Sequence, residues 1–541
     1  MSWRKRMFLL TFIAMNVVDE PAPEVTIEQG TLIGKISSDG TFFEYLGIPY
    51  ATTNSSTRFR APGPAPSWEG IYKATEESAS CPQNTDLGVI GNEDCLKINV
   101  YVPAVAKKPL PVLFYVHGGA FILGSGGKLM YGPDFIVKKE VILVTFNYRL
   151  GILGFLCLRI KEAPGNAGIK DQIAALRWVK ENIAAFGGDP DNITIFGESA
   201  GATSVSLILK SKSADGLFKR AIIQSGSSLA PWAINRKPLE IARLLAKSAG
   251  YDTKDPMELY KIFSNMTYQE LTALNVKKQL QRFFEPLLFH LPCVESEITG
   301  VEPVITDLPF NIIKDKPNNV DVIYGSTSKE GLFFITDETF KDLDGRKERS
   351  LFADDLQFSS TDEEFVKSKE VEKLYFENNK LNVKELVKIS GIFGHLYFEI
   401  PVIMESENFV NTSNSKVYNY HFNYSGKRNY LKWATGYHNE TGASHGDDLF
   451  YLFRGSLLPP VYNKEDQKVV NYITTLWTNF AKYGNPTPDP KELGVKWEPS
   501  IKNSMKFLYM ENELKMGTIP NDKAYRFWRD IYDKHKIIDK Y

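Results

Sequence analysis

The sequence is short of cysteine, the residue that crosslinks many small extracellular domains. A chain of 541 residues with four cysteines is not held together mainly by disulfides, so its stability must come from a hydrophobic core. Four cysteines allow three fully paired arrangements, and their spacing does not choose among them. The four are Cys81, Cys95, Cys157 and Cys293.

The chain also lacks an excess of either charge, because 64 Lys and Arg residues balance 65 Asp and Glu residues. This balance excludes a broad basic surface for nucleic acid and favours a small neutral or apolar ligand. No uninterrupted apolar run of about 18 residues indicates a membrane-spanning helix. No ligand spacing indicates a metal or another cofactor. Repeats and low-complexity linkers are absent as well, which favours one large domain of undetermined oligomeric state.

The first residues carry a targeting pattern. A basic cluster at residues 4–6 precedes an apolar run of 12 residues, 7–18. The run is too short to span a bilayer comfortably and matches a signal-peptide core, although Asn16 interrupts it and no small-residue cleavage site is evident. We assign residues 1–24 to a signal peptide or N-terminal extension and residues 25–541 to the catalytic domain. We expect secretion or an endomembrane lumen, with the cytoplasm as the alternative.

Six Asn-x-Ser/Thr sequons support secretion only weakly, because a chain with this many asparagines contains several by chance. The sequons begin at Asn54, Asn192, Asn265, Asn411, Asn423 and Asn439.

The pattern between residues 110 and 225 is the most informative part of the chain. Continuous apolar runs and a helical periodicity alternate there, and this alternation predicts an α/β fold with a central, mostly parallel twisted sheet flanked by helices. Predicted strands cover 112–116, 141–146, 193–196 and 221–224, and a predicted helix covers 169–183. Residues 235–410 are mostly helical apart from an apolar run at 320–324, and a further strand is predicted at 417–422.

One motif in this region carries chemistry. Residues 197–201 form a Gly-x-Ser-x-Gly pentapeptide directly between a predicted strand and a predicted helix. Chance alone supplies such a match in many chains. In this position, however, a sharp turn lifts a serine hydroxyl above the sheet, as in the nucleophile elbow of α/β-hydrolases. The pattern therefore predicts Ser199 as a nucleophile.

A second small-residue loop supports this prediction. His117, Gly118, Gly119 and Ala120 follow the strand that begins at Val112, where backbone N–H groups can face a developing oxyanion. A serine nucleophile needs a histidine base and an acid, which follow it in the chain order serine, acid, histidine. This order excludes His117 as the base but leaves six candidates, His290, His395, His421, His438, His445 and His535.

The motifs together resemble those of the type-B carboxylesterases, the family that includes the cholinesterases, and most closely those of insect α-esterases. The resemblance extends from about residue 25 to the C-terminus. Its anchors are residues 43–50, 93–96, 117–121, 147–151, 165–172 and 186–201.

The resemblance implies the remaining site residues. Glu330 matches the family's acid, and His445 matches its histidine, so the implied triad is Ser199, Glu330 and His445. The implied oxyanion donors are the N–H groups of Gly119, Ala120 and Ala200, although Ala120 stands where the family often has a third glycine. Cys81 and Cys95 match the family's N-terminal disulfide, whereas Cys157 and Cys293 match no family pair.

The expected activity is hydrolysis of small to medium apolar esters, of xenobiotic or lipid origin, through an acyl-enzyme. The resemblance also implies that a choline ester is not the preferred substrate, because cholinesterases place a cation-binding tryptophan in the loop that matches 81–95, and this chain has none there. Glu198 stands where juvenile-hormone esterases usually have glutamine, which weighs against a dedicated hormone esterase. Two alternatives are an organophosphate-sequestering esterase and a non-catalytic cholinesterase-like binding protein. Aromatic candidates for the ester pocket are Trp232, Phe283, Phe284, Phe289, Phe450, Tyr451 and Phe453.

Overall fold

The computed structural model describes residues 21–105, 109–276, 282–284, 288–315, 320–335, 349–378, 380–382, 384–456 and 463–538. Residues 1–20, most of the predicted signal peptide or extension, lie outside the described residues. The first strand begins at Pro21, so residues 21–24 of that predicted segment belong to the sheet.

The strands of the described ranges are fifteen in number. They are β1 (Pro21–Ile27), β2 (Gly30–Ile36), β3 (Phe42–Pro49), β4 (Ile71–Lys73), β5 (Gln83–Thr85), β6 (Gly88–Ile90), β7 (Lys97–Pro103), β8 (Leu110–Val116), β9 (Ile142–Phe146), β10 (Gly188–Glu198), β11 (Arg220–Gln224), β12 (Asp321–Thr327), β13 (Val417–Phe422), β14 (Phe507–Met510) and β15 (Leu514–Gly517).

One large sheet contains 13 of these strands in the order β1-β2-β3-β7-β9-β8-β10-β11-β12-β13-β14-β15, with β4 beside β2. All pairings from β9 to β14 are parallel. Both ends of the sheet are antiparallel, where β1, β2, β3, β7 and β9 pair in turn and β14 pairs with β15. The predicted mostly parallel α/β sheet is confirmed. Strands β5 and β6 form a separate hairpin.

Helices connect and cover the strands. The α-helices are Lys128–Tyr131, Asp134–Val137, Gly151–Phe155, Ala167–Asn182, Ala200–Lys210, Pro238–Ser248, Pro256–Ser264, Tyr268–Ala273, Pro309–Asp315, Thr361–Tyr375, Leu386–Gly394, Ile400–Thr412, Tyr430–Ala434, Leu449–Leu452, Lys464–Tyr483, Pro490–Leu493 and Asp522–His535. In the part of the chain that the structure describes, three 3-10 turns lie at Ile183–Phe186, Lys212–Ala214 and Glu330–Phe333.

Strands β8 and β9 are almost entirely apolar because helices cover both faces of the central sheet. In β8, Val112 and Phe114 belong to the core cluster on one face. Leu113 and Tyr115, the alternate residues, belong to the cluster on the other face. The helix Ala167–Asn182 packs on the first face, and the helix Lys464–Tyr483 packs on the second.

The predicted elements lie where the pattern placed them. Strands β8, β9, β10 and β11 contain the four predicted runs, and β13 has the predicted bounds 417–422. The helix predicted at 169–183 spans Ala167–Asn182. The apolar run at 320–324 lies in or beside β12.

Two disulfides crosslink the described chain. Cys81 and Cys95 are joined, as the family resemblance implied, across 14 positions. Cys157 and Cys293, which matched no family pair, are joined across 136 positions. The second bond fastens the segment around residue 293 to the chain just after the helix Gly151–Phe155. Asn166, which precedes the helix Ala167–Asn182, also hydrogen-bonds the backbone of Cys293.

One helical stretch contains a local irregularity. Leu386–Gly394 and Ile400–Thr412 are joined without a break by a π-helical turn at His395–Glu399. By length and composition this stretch is able to cross a membrane, but 72% of its most apolar window is buried within the protein. The same burial is expected of a core helix.

Candidate active site

Ser199 lies at the sharp turn between β10 and the helix Ala200–Lys210. Its backbone has φ 57° and ψ −123°, a conformation that non-glycine residues rarely adopt. The Ser199 N–H donates to the carbonyl of Gln224 on β11 at 2.9 Å, which ties the strained turn to the neighbouring strand. The predicted nucleophile therefore occupies an elbow at the carboxyl edge of the parallel strands.

The glycines of the pentapeptide are required by the close approach of backbone. A Cβ at Gly197 would lie 2.5 Å from the carbonyl carbon of Gly201. A Cβ at Gly201 would lie 2.1 Å from the carbonyl oxygen of Val116 on β8. Both distances are shorter than any tolerated contact, so only glycine allows the elbow to form here.

His445 and Glu330 form a buried pair. His445 Nδ1 lies 2.6 Å from Glu330 Oε2, and both side chains are less than 6% exposed. Glu330 begins the turn that follows β12, and its other oxygen accepts hydrogen bonds from Ser225 Oγ at 2.6 Å and Thr327 N at 2.7 Å. Of the six histidines that remained open, His445 is the one paired with the implied acid.

Glu198, the residue before Ser199, is a second carboxylate neighbour of His445. Its Oε1 lies 3.2 Å from His445 Nε2, the nitrogen opposite the one facing Glu330. Burial by itself would lower the pKa of His445, but Glu198 and Glu330 together raise it to about 9. Burial raises the pKa of Glu198 to about 8, against the opposing effect of His445. Sequence analysis did not predict this contact.

The loop after β8 lies against the nucleophile. A Cβ at Gly118 would lie 3.2 Å from Ser199 Cβ and 2.8 Å from Glu198 Oε2. Gly119 and Ala120 both have left-handed φ values, 107° and 54°. No described residue accepts a backbone hydrogen bond from Gly119, Ala120 or Ala200, whose N–H groups the resemblance implied as oxyanion donors.

Aromatic side chains surround the histidine. The ring centroid of Phe398, on the π-helical turn, lies 4.5 Å from that of His445, and Phe334 lies 5.1 Å away. Trp232 packs on Phe398 at 5.6 Å and on Phe121 at 6.4 Å. Phe398, Phe334 and Trp232 thus form an aromatic wall beside His445, and Trp232 is the member of this wall that the sequence predicted as a pocket aromatic.

Other predicted pocket aromatics lie further away. Phe284 packs on Phe393, which in turn packs on Phe398. Phe453 packs with Tyr115 on the opposite face of the sheet. Phe334 and Phe398 were missed because one follows the Glu330 turn and the other lies far along a helix, positions that a single sequence does not relate to Ser199.

Contacts outside the site hold the loop that carries His445. Lys432, only 2% exposed, donates from Nζ to Ser425 Oγ at 2.6 Å, to the Glu440 carbonyl at 2.8 Å and to the Gly442 carbonyl. Asp447 accepts from the backbone N–H of Ser444 at 2.8 Å and of Leu431 at 3.0 Å. These bonds fasten both flanks of His445 to the helix Tyr430–Ala434.

Within the described ranges, no cluster of three or more His, Cys, Asp or Glu side chains is arranged to hold a metal ion. The polar groups that converge here are instead a serine, a histidine, two glutamates and free backbone N–H groups.

Comparison with known proteins agrees with this arrangement. The model of the carboxylesterase family matches residues 21–528. Esterase FE4 of Myzus persicae is 29% identical over 520 residues, which cover 92% of this chain and 90% of that protein. Bile salt-activated lipase of Rattus norvegicus is 34% identical over 518 residues, which cover 90% and 81%.

A solved structure matches along the whole fold. The crystal structure of juvenile hormone esterase from Manduca sexta, with OTFP covalently attached, has a TM-score of 0.84 at 30% identity and covers 95% of this chain and 100% of that chain. The resemblance to type-B carboxylesterases and insect esterases is confirmed. The chain therefore belongs to the carboxylesterase family and is a carboxylic ester hydrolase with the α/β-hydrolase fold.

Proposed function

We propose that Ser199, His445 and Glu330 hydrolyse carboxylic esters through an acyl-enzyme. The observation that carries this proposal is the 2.6 Å contact between His445 Nδ1 and Glu330 Oε2, beside the strained elbow of Ser199. Glu330 fixes the histidine tautomer and stabilises the imidazolium, which leaves Nε2 to act as the base.

In this mechanism His445 takes the Ser199 proton while Oγ attacks the ester carbonyl. The N–H groups of Gly119, Ala120 and Ala200 stabilise the oxyanion, and the alcohol leaves with the proton from His445. Water then repeats the sequence on the acyl-enzyme and releases the carboxylic acid. Loss of one such oxyanion donor lowers the rate by about 100- to 1000-fold in comparable sites.

The substrates that fit are small to medium apolar esters from xenobiotics or lipids. The wall formed by Phe398, Phe334 and Trp232 supplies apolar surface directly beside the base. Two of the similar proteins are named as a bile salt-activated lipase and a juvenile hormone esterase, names consistent with apolar esters. We also propose that the protein is secreted, in keeping with its two disulfides.

A second candidate is slow turnover with sequestration of acylating or phosphorylating agents. Glu198 favours it, because a carboxylate 3.2 Å from His445 Nε2 stabilises the protonated histidine, which is not a base. A fast burst of alcohol release followed by a slow phase would support this candidate. Linear progress curves from the first turnover would support ordinary hydrolysis.

Replacement of the nucleophile tests the triad. Ser199→Ala is expected to abolish hydrolysis of nitrophenyl and naphthyl esters and to prevent labelling by an organophosphate, with circular dichroism unchanged. The exposed Ser55→Ala variant is the matched control and should keep both properties. Activity of Ser199→Ala above a trace would show that the assignment is wrong.

A further inference from the structure

The asparagine side chains of the six sequons differ in their exposure and in the hydrogen bonds that they make in the folded chain. Attachment of a glycan requires the Asn amide nitrogen to reach the surface, and a bulky sugar is tolerated only where no packing is lost. We propose that the chain carries N-linked glycans at Asn54, Asn265, Asn411 and Asn439, and that Asn192 and Asn423 stay unmodified.

The four proposed sites are exposed and occur in loops or at helix ends. Asn54 accepts from Ser56 N at 2.9 Å and Ser56 Oγ at 2.7 Å through Oδ1, and among the described residues none accepts a hydrogen bond from its Nδ2. Asn265 ends the helix Pro256–Ser264. Asn411 lies in the last turn of the helix Ile400–Thr412, and Asn439 lies in the loop that leads to His445.

Asn192 is half-buried, and its side chain lies against the core. It lies in β10, and its Oδ1 accepts from Arg220 on β11 at 2.5 Å. The same guanidinium nitrogen donates to the Ala481 carbonyl at 2.9 Å, and Thr194, the hydroxyl residue of this sequon, is completely buried. A glycan here would separate two central strands from the helix Lys464–Tyr483.

In Asn423 the atom to which a glycan would attach, Nδ2, already makes a hydrogen bond in the folded chain. Its Nδ2 donates to Glu511 Oε1 at 2.8 Å, and its backbone N–H donates to the Met510 carbonyl at 2.9 Å. A sugar on Nδ2 would break the bond to Glu511 and push the chain after β13 away from the chain after β14.

The redox state of the chain agrees with passage through the compartment where such glycans are added. Two disulfides with ends no more than 2% exposed form part of the core, and disulfides persist mainly in oxidising compartments. The glycan pattern is independent of the triad, since a chain without hydrolytic activity would carry the same sugars.

One proposed site lies close to the ester site. Tyr437 donates from its hydroxyl to the Ile335 carbonyl at 2.6 Å, which joins the loop of Asn439 to the turn that carries Glu330. Trp433, in the helix just before this loop, is 69% exposed. A glycan at Asn439 would therefore stand near exposed apolar surface and near the chain that follows the Glu330 turn.

Peptide mapping of the full chain, expressed in insect cells with its own N-terminus and purified from the medium, tests the proposal. Deglycosylation by an amidase in heavy-oxygen water converts each occupied Asn to a labelled Asp. We expect label at Asn54, Asn265, Asn411 and Asn439 and none at Asn192 or Asn423. Label at either of the last two, or a bare asparagine in all molecules at one of the four, would overturn the assignment for that site.

Single substitutions provide the second measurement. Each of Asn54→Gln, Asn265→Gln, Asn411→Gln and Asn439→Gln should lower the mass of the secreted protein by one glycan. Asn423→Gln should leave the glycan mass unchanged. A secreted wild-type chain with no glycan, or a chain that stays in the cytosol, would overturn the proposal as a whole.

Discussion

At the scale of single residues, Glu198 is the feature that most affects the proposed base. Its carboxylate and that of Glu330 flank the imidazole on opposite nitrogens, at 3.2 Å and 2.6 Å. Burial raises the pKa of Glu198, and the two carboxylates raise the pKa of His445 against the effect of its burial.

Glu198→Gln removes one of the two carboxylates that raise the pKa of His445 to about 9. The pKa of the histidine should fall, so the neutral base should persist to lower pH. A neighbouring opposite charge shifts a pKa by about 1–3 units, and we expect the acid limb of kcat/KM to move down by about one unit. Glu198→Asp, which keeps the charge, is the control. An acid limb that stays in place would contradict this account.

Ala120 offers a test of strain in the oxyanion loop. Its φ of 54° lies in the left-handed region, which costs a non-glycine residue about 1–2 kcal/mol. Ala120→Gly removes that cost but adds about 0.4–1 kcal/mol of unfolded-state entropy, so urea denaturation should show a net gain of about 0.5–1 kcal/mol. Hydrolysis should persist because the donor is a backbone N–H.

Ala104→Gly serves as the comparison for Ala120→Gly, because Ala104 lies in a loop without a positive φ. That variant should lose stability. Equal losses in the two variants would mean that the Ala120 backbone is not strained.

Sequence analysis identified the residues of the implied triad, but it did not identify the second carboxylate that contacts His445. Ser199 is marked by glycines that the close backbone requires, and Glu330 and His445 follow in the expected chain order. The contact of Glu198 with His445 depends on how the loop 436–446 folds. That conformation is fixed by Lys432 and Asp447, neither of which forms part of a catalytic motif.

At the scale of elements, the helix Tyr430–Ala434 acts as the support of the histidine loop. Lys432→Met would remove the three donor bonds to Ser425, Glu440 and Gly442. Small misplacements of a catalytic group lower rates by about 100-fold, so we expect kcat to fall by about 10- to 100-fold with little change in KM. Steady-state kinetics at several pH values measure the effect.

Lys427→Met is the matched control for Lys432→Met, because Lys427 is an exposed lysine of the same segment. It should keep wild-type kcat. A folded Lys432→Met enzyme with wild-type kcat would exclude a positioning role for Lys432.

The π-helical turn places Phe398 beside the histidine, and its removal should change selectivity. Phe398→Ala creates space at the wall and is expected to raise kcat/KM for long or branched acyl groups relative to acetyl esters. Phe453→Ala removes an equally buried ring from the opposite face of the sheet. Each variant should lose about 3–5 kcal/mol of stability. Selectivity should change in the first alone, and a parallel change in both would contradict the assignment.

Burial explains why some elements were predicted from the sequence and others were not. Strands β8 and β9 are buried and appear as continuous apolar runs, β10 and β11 contain short buried apolar runs, and β13 is buried with an alternating pattern. The short strands β4 and β6 are largely exposed and carry no such pattern. The π-helical turn could not be predicted, because an extra residue in a helical turn leaves no compositional mark.

At the scale of the whole molecule, the two disulfides differ in the length of chain that they enclose. Their sequence separations are 14 and 136 residues. Chain entropy predicts a stabilisation of about 3 kcal/mol for the short loop and about 5 kcal/mol for the long one. Urea unfolding should therefore show a larger loss for Cys157→Ala with Cys293→Ala than for Cys81→Ala with Cys95→Ala. The opposite order would mean that native contacts, such as those of Asn166, already hold the long loop.

The Cys157–Cys293 bond could not be derived from spacing, because its partners are 136 positions apart and β10 and β11 lie between them in the chain. Because the bond encloses 136 positions of chain, it affects what happens when a protease cuts the protein within that stretch. The enclosed stretch contains Ser199 and also the exposed turn around Tyr251 between two surface helices. A protease that cuts at Tyr251 leaves two fragments still linked through sulfur, so a nicked enzyme stays one covalent molecule until a reductant separates the halves.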